Sequence, residues 1–248
     1  MRLEWIIEGK DVERVHALMA KMATNAFVVH RRKNPEARAD VTKQELWFQM
    51  LSARLTSAQR SGPGSHVTRL IRTKPFLLAL EEVLDADERE AFISERLRHS
   101  GGIRFADKIA VEMARNLKTL ESGGWEPTLA ACNRLTKANG TRDLEVEVAG
   151  HLMAFVGFGP KQSRNVLQSL GLTRFEIPID SRVTDWLNDF GFPVRLTAGA
   201  LSDPNYYTFV SDGINQLCAK ADVLPCTFDA AVFAEVDGNG WTPENVTD

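Results

Sequence analysis

Apolar residues recur at three- and four-residue intervals along nearly the whole chain, and runs that alternate apolar with polar positions are almost absent. That period is helical, because 3.6 residues per turn bring positions i, i+3, i+4 and i+7 to one face. Val12, Val15, Leu18, Met19 and Met22 mark the inner face of a first helix, with Asp11 placed to cap it. Thr42-Lys43-Gln44-Glu45 has the form of a capping box, in which hydroxyl and carboxylate each accept a free backbone N–H of the other residue. It opens a helix that turns Trp47, Met50, Leu51 and Leu55 inward, and Ser61-Gly62-Pro63-Gly64 is expected to end it. The periodicity predicts further helices over 65–72, 75–84, 87–98, 104–121, 127–137, 142–154, 160–170, 181–189, 205–220 and 226–236. Gly101-Gly102 and Gly123-Gly124 read as turns between helices. The fold expected is all-α, and if it divides into two lobes the chain should pass between them near those glycine pairs.

Composition narrows the class. The 248 residues are 44% apolar, 25% charged and 8% aromatic, the balance of a globular chain and not of a disordered or collagen-like one. No apolar run approaches the roughly 18 residues of a membrane span, and Met1-Arg2-Leu3-Glu4-Trp5 lacks the basic-then-apolar order of a secretory signal. A cytoplasmic protein with no membrane partner is expected. Cys132, Cys218 and Cys226 are too few for a four-thiolate zinc or iron-sulfur site and give no disulfide framework, so they are expected as reduced, mostly buried thiols. His16, His30, His66, His99 and His151 show no spacing that puts two ligands on one helical face, and no metal is expected.

The formal charge of −3 conceals an asymmetry. Residues 1–186 carry 28 Lys+Arg against 24 Asp+Glu, whereas residues 187–248 carry 2 against 9. Residues 46–80 contain no acid and hold Arg54, Arg60, Arg69, Arg72, Lys74 and His66. Such a stretch is either a phosphate-facing surface or a plain solvated face.

The most informative segment is His151-Leu152-Met153-Ala154-Phe155-Val156-Gly157-Phe158-Gly159-Pro160-Lys161-Gln162-Ser163-Arg164, read as a helix, a tight hairpin and a second helix. Gly157 and Gly159 permit positive φ and close backbone approach, and Pro160 suits a first helical position, where no N–H is missed. A hairpin of this kind aims free N–H groups and a positive helix end at one spot, which suits a phosphate, although plain turns share the pattern. The loop Gly171-Leu172-Thr173-Arg174-Phe175-Glu176-Ile177-Pro178-Ile179 then leads to Asp180, in front of a helix opening Ser181-Arg182-Val183. By itself Asp180 reads as an N-cap and Lys161 as a surface lysine. Together they also read as chemistry: the dipole at the first turn of a helix opposes the ammonium form of Lys161, a neutral amine is a nucleophile, and a nearby carboxylate steadies positive charge or moves protons.

Hairpin, lysine, Gly/Pro loop and aspartate in this order resemble the helix-hairpin-helix superfamily of DNA glycosylases, whose lyase members carry a lysine after the hairpin and an aspartate after the loop. Leu51-Ser52-Ala53-Arg54-Leu55-Thr56-Ser57 resembles the helix-end segment that approaches DNA in that superfamily. Gly102-Ile103-Arg104-Phe105-Ala106-Asp107-Lys108-Ile109-Ala110 resembles a turn and helix of the archaeal-type 8-oxoguanine branch. Phe228-Asp229-Ala230-Ala231-Val232-Phe233 resembles the helix that helps form the base pocket there, with Phe233 where that branch has tryptophan. Only Cys218 and Cys226 lie where other branches carry four clustered cysteines.

The resemblance implies one unit over residues 1–248, made of two helical lobes with the hairpin motif at 142–170 and the active site in the cleft between the lobes. It implies a bifunctional glycosylase and abasic-site lyase, a monomer acting on a damaged base, 8-oxoguanine or another oxidised base, in double-stranded DNA without a cofactor. Lys161 would form the Schiff base, Asp180 would stabilise the cationic sugar, and the amides of Gly157 and Gly159 would hold a phosphate. Arg54 would enter the duplex as a wedge or touch phosphate. Asp229 and Phe233, one turn apart, would line the base pocket or serve as solvated charge and core. The other readings are a non-catalytic hairpin protein that binds DNA and a monofunctional glycosylase for another lesion.

Overall fold

A computed structural model describes residues 4–33, 36–137, 140–237, 240–243 and 246. The opening Met1-Arg2-Leu3, part of the reading that found no secretory signal, lies outside them. The described residues contain no strand, and their α-helices in chain order are α1 Gly9–Lys21, α2 Ala26–Arg31, α3 Lys43–Leu55, α4 His66–Arg72, α5 Leu80–Leu84, α6 Arg89–His99, α7 Ala106–Thr119, α8 Trp125–Asn133, α9 Arg142–Leu152, α10 Pro160–Ser169, α11 Ser181–Phe190, α12 Pro204–Lys220 and α13 Pro225–Asp237. A π turn at Leu120–Gly124 joins α7 to α8, and Gly123 supplies the φ of +103° that it requires. None of these helices is long and apolar enough to cross a membrane.

Capping explains several boundaries. The Thr42 box opens α3 as its sequence predicts: Thr42 Oγ1 accepts the Glu45 N–H at 3.2 Å, and Glu45 Oε2 accepts the Thr42 N–H at 2.8 Å. At α1 the cap is Glu8 and Asp11 is its partner three residues on, so Asp11 accepts the Glu8 N–H instead of capping the helix itself. α3 stops at Leu55, before the Ser61–Gly64 turn expected to end it, because Thr56 already closes its last turn. The helix expected over 75–84 begins only at Leu80, and α2 has no counterpart in the apolar pattern.

Two hydrophobic clusters form the interior. One runs from Val41 to Leu172 and packs α3 through α10 around Trp47, Met50, Ile109 and Met113. The other joins the two ends of the described chain: Val15, Leu18 and Val28 of α1 and α2 pack with α11, α12 and α13 around Tyr207 and Phe228. The chain therefore crosses between lobes from Val28 to Val41 and from Leu172 to Ile177. This corrects the expected crossings at Gly101-Gly102 and Gly123-Gly124, which lie within the span of the first cluster. All three cysteines are free and buried.

A buried polar network ties the second crossing down. Glu176 receives Arg164 Nε at 2.5 Å, Arg142 Nε at 3.0 Å and Ser211 Oγ at 2.8 Å, joining α9, α10 and α12. A fully buried carboxylate is tolerable only with such partners.

Candidate active site

The turn between α9 and α10 is held rigidly. Gly157 has φ +85°, and a Cβ there would lie 2.7 Å from Arg54 Nε and 2.9 Å from Glu112 Oε2, so a glycine is required. Asn116 of α7 grips the tip: its Oδ1 accepts the Val156 N–H at 2.8 Å and its Nδ2 donates to the Val156 carbonyl at 2.9 Å. Gly159 caps α10 and Pro160 takes its first position. The N–H groups of Gly157 and Gly159 meet no acceptor among the described residues and stand beside the open N-terminus of α10, an arrangement suited to an anion.

Arg54 is buried and paired within the protein. Its Nε and Nη2 donate to Glu112 Oε2 at 2.9 and 2.5 Å, its Nη1 donates to Ser57 Oγ at 3.0 Å, and Gln162 Nε2 also donates to Ser57. An arginine that entered a duplex would leave Glu112 buried without its cation, at about 3–5 kcal/mol. Arg54 instead supports the hairpin from beneath. Of the basic stretch, Arg60, Arg69 and Lys74 are exposed.

Lys161, the second residue of α10, opens onto a cleft of about 180 Å³ that Asp180, Gln168, Asp229 and Phe233 also line. The amine has no hydrogen-bond or ion-pair partner among the described residues. Burial lowers its pKa from the usual 10.5; the charges of Arg182 and Arg54 act in the same direction, and those of Asp180 and Asp229 oppose it.

Asp180 does cap α11, as its position predicts. Its Oδ1 accepts the N–H groups of Arg182 and Val183 at 2.9 and 3.2 Å, and its Oδ2 takes Arg182 Nη1 at 2.9 Å. Two buried side chains that the apolar pattern does not single out shape the loop before it. The Glu145 carboxylate accepts three successive N–H groups, from Arg174, Phe175 and Glu176, at 2.8, 2.9 and 2.7 Å. The Tyr207 hydroxyl accepts the Ile179 N–H and donates to the Ile177 carbonyl, each at 2.7 Å.

Asp229 and Phe233 face this same cleft from α13. Asp229 is buried and its Oδ2 receives Gln168 Nε2 at 2.5 Å. Burial pushes its carboxyl up to about 7, Asp180 adding to the effect and Gln168, Arg31 and Lys161 opposing it. The Phe233 ring lies 5.0 Å from Phe27 and 5.6 Å from Trp241, with the Arg182 guanidinium 4.2 Å above it. Sequence reading misses Phe27, Arg31, Gln168, Arg182 and Trp241 as cleft residues, because nothing in their spacing separates them from ordinary helix or loop positions.

A last feature lies outside the cleft. Phe105 is 49% exposed and has φ +60°, a conformation costly for an aromatic residue. The neighbouring Arg104 donates from its N–H to Gln59 Oε1 at 2.9 Å and from Nη1 to the Ala58 carbonyl at 2.8 Å, tying this turn to the segment after α3.

A helix, hairpin and helix leading through a pinned loop to a capping aspartate, between two helical lobes, define an all-helical architecture with a cleft at their junction. The same architecture is found in the crystal structure of the Methanocaldococcus jannaschii 8-oxoguanine DNA glycosylase, with a TM-score of 0.64 over 91% of this chain and 92% of that one. Identity is 12%, so the likeness is one of fold. No family model and no curated protein matches the sequence.

Proposed function

We propose that the protein is a DNA glycosylase with abasic-site lyase activity, acting on an oxidised base, foremost 8-oxoguanine, flipped out of double-stranded DNA. The observation that carries this reading is Lys161: an amine with a lowered pKa and no ion-pair partner, sharing one cleft with Asp180 and set at the helix that the hairpin leads into. Its neutral form attacks the sugar C1′ while the glycosidic electron pair leaves with the base. Loss of a proton from the resulting nitrogen and opening of the sugar ring give the Schiff base, and removal of a C2′ proton then expels the 3′ phosphate. Asp180, fixed by Arg182 and by two backbone N–H groups, faces the positive charge that develops on the sugar. The free amides of Gly157 and Gly159 hold a neighbouring phosphate and so fix the register of the duplex. With Arg54 committed to Glu112, the group that enters the stack is Phe105, an exposed ring held in a strained turn. All these groups come from one chain, so a monomer suffices, and the chemistry needs no cofactor.

Borohydride treatment with DNA containing an abasic site tests the reading. Wild-type protein is expected to leave a reduced covalent adduct, and Lys161→Gln to lose adduct and strand cleavage while DNA affinity stays within a few-fold. A non-catalytic binder would give neither adduct nor excision, and a monofunctional glycosylase would excise without an adduct.

A further inference from the structure

Arg31, at the end of α2, is 8% exposed and lines the same cleft as Lys161. Its Nη1 donates to the Gln168 backbone carbonyl and its guanidinium lies 5.2 Å from the Phe27 ring centre, but its buried Nε has no hydrogen-bond partner among the described residues. Ser52 of α3, also 8% exposed and also in the lining, has a buried Oγ without a partner among the described residues. Folded proteins leave few buried polar groups unmatched, since each costs about 1–3 kcal/mol and a charged one more. Three such donors in one cleft, the third being Trp241 Nε1, point to an acceptor that arrives with a ligand.

Gln168 sets where that acceptor must lie. Its backbone carbonyl takes Arg31 Nη1 and its side-chain NH2 donates to Asp229 Oδ2, which leaves Asp229 Oδ1 to accept a further N–H. The cleft thus complements a planar ring edge on which N–H stands next to C=O. Undamaged guanine and thymine carry such an edge on the six-membered ring, so reading it there does not by itself tell a lesion from intact DNA. The same pair on the five-membered ring, N7–H beside C8=O, occurs in none of the four normal bases.

We propose that Arg31 and Ser52 are specificity-determining residues that donate to O8 of a flipped 8-oxopurine while Asp229 accepts its N7–H, so that 8-oxoguanine and 8-oxoadenine are taken alike. The proposal rests on the glycosylase reading above and names the base edge which that reading leaves open.

The test is equilibrium binding to duplexes that carry 8-oxoguanine, 8-oxoadenine, guanine or adenine on a 2′-fluoro sugar, which resists excision. Wild-type protein is expected to hold both 8-oxopurines more tightly than their parents. Arg31→Met should lose roughly tenfold to a hundredfold in affinity for the 8-oxopurines and little for the parents, the range for a hydrogen bond to a charged group. Ser52→Ala, a milder change read beside it, should lose a smaller part of the same preference, with melting curves showing that each variant is folded. Unchanged preference in both variants, equal loss for all four bases, or 8-oxoadenine treated like adenine overturns the inference. Borohydride trapping of the wild type on an abasic site, where no base is present, reads the underlying function separately. Trapping without 8-oxopurine preference sinks the inference alone, whereas absence of both sinks the two together.

Discussion

Asp229, the proposed acceptor for the base, also bears on stability. Its carboxyl titrates at about 7 in the folded chain against 3.8 when free, so between roughly pH 4 and 7 the folded state keeps a proton that the unfolded state has lost. Stability from this group is therefore lost as pH rises through that window, and at pH 8 the buried charge is a burden. Asp229→Asn is expected to raise the melting temperature relative to wild type at pH 8 and to change it little at pH 4; an equal change at both values would show that the charge is not the cause. The proposed site residues Lys161, Asp180, Asp229 and Phe233 could be singled out because local order and helical spacing carry them, and the fold brings all four to one cleft. The pairing of Arg54 was not legible, because its partner Glu112 lies 58 residues away and no local pattern announces a buried ion pair. Arg31 and Ser52 were silent for the same reason: their meaning comes from the groups they fail to meet.

Helices were the most readable level of the chain, since apolar periodicity and capping act within a few residues. What failed there was tertiary: α2 is a six-residue helix stabilised by its packing on α13, and the residues from 75 to 79 turn before α5 begins. The hairpin offers a test at this scale through its two glycines. Gly157→Ala should destabilise the protein by about 1–2 kcal/mol from its positive φ, with a further cost as Arg54 and Glu112 are pushed aside. Gly159→Ala, with an ordinary φ of −87° and no atom within 4 Å of the added Cβ, should shift the melting temperature far less. Similar losses from both would mean that the Gly157 backbone is not under the constraint described.

At the scale of the molecule, the ends of the described chain meet in one lobe while residues 41–172 build the other, a pairing that periodicity cannot reveal because it depends on distant contacts. The cleft lined by Lys161 and Asp180 lies where α10 and the 173–180 loop pass between the two. Phe105 belongs to this scale, since it projects from the first lobe to meet the duplex in the proposed complex. Phe105→Ala is expected to slow excision of a paired lesion by about tenfold, the order of one lost base–aromatic stacking contact, and to slow cleavage at an abasic site less. Equal slowing of both would assign Phe105 to general DNA contact. The central claim is that the Lys161 amine forms the covalent bond to the sugar. Its most direct test is to digest the borohydride-reduced adduct and locate the sugar remnant by mass spectrometry: the account predicts a single modified peptide carrying it on Lys161, and a remnant found on another lysine or on the N-terminal amine would contradict it.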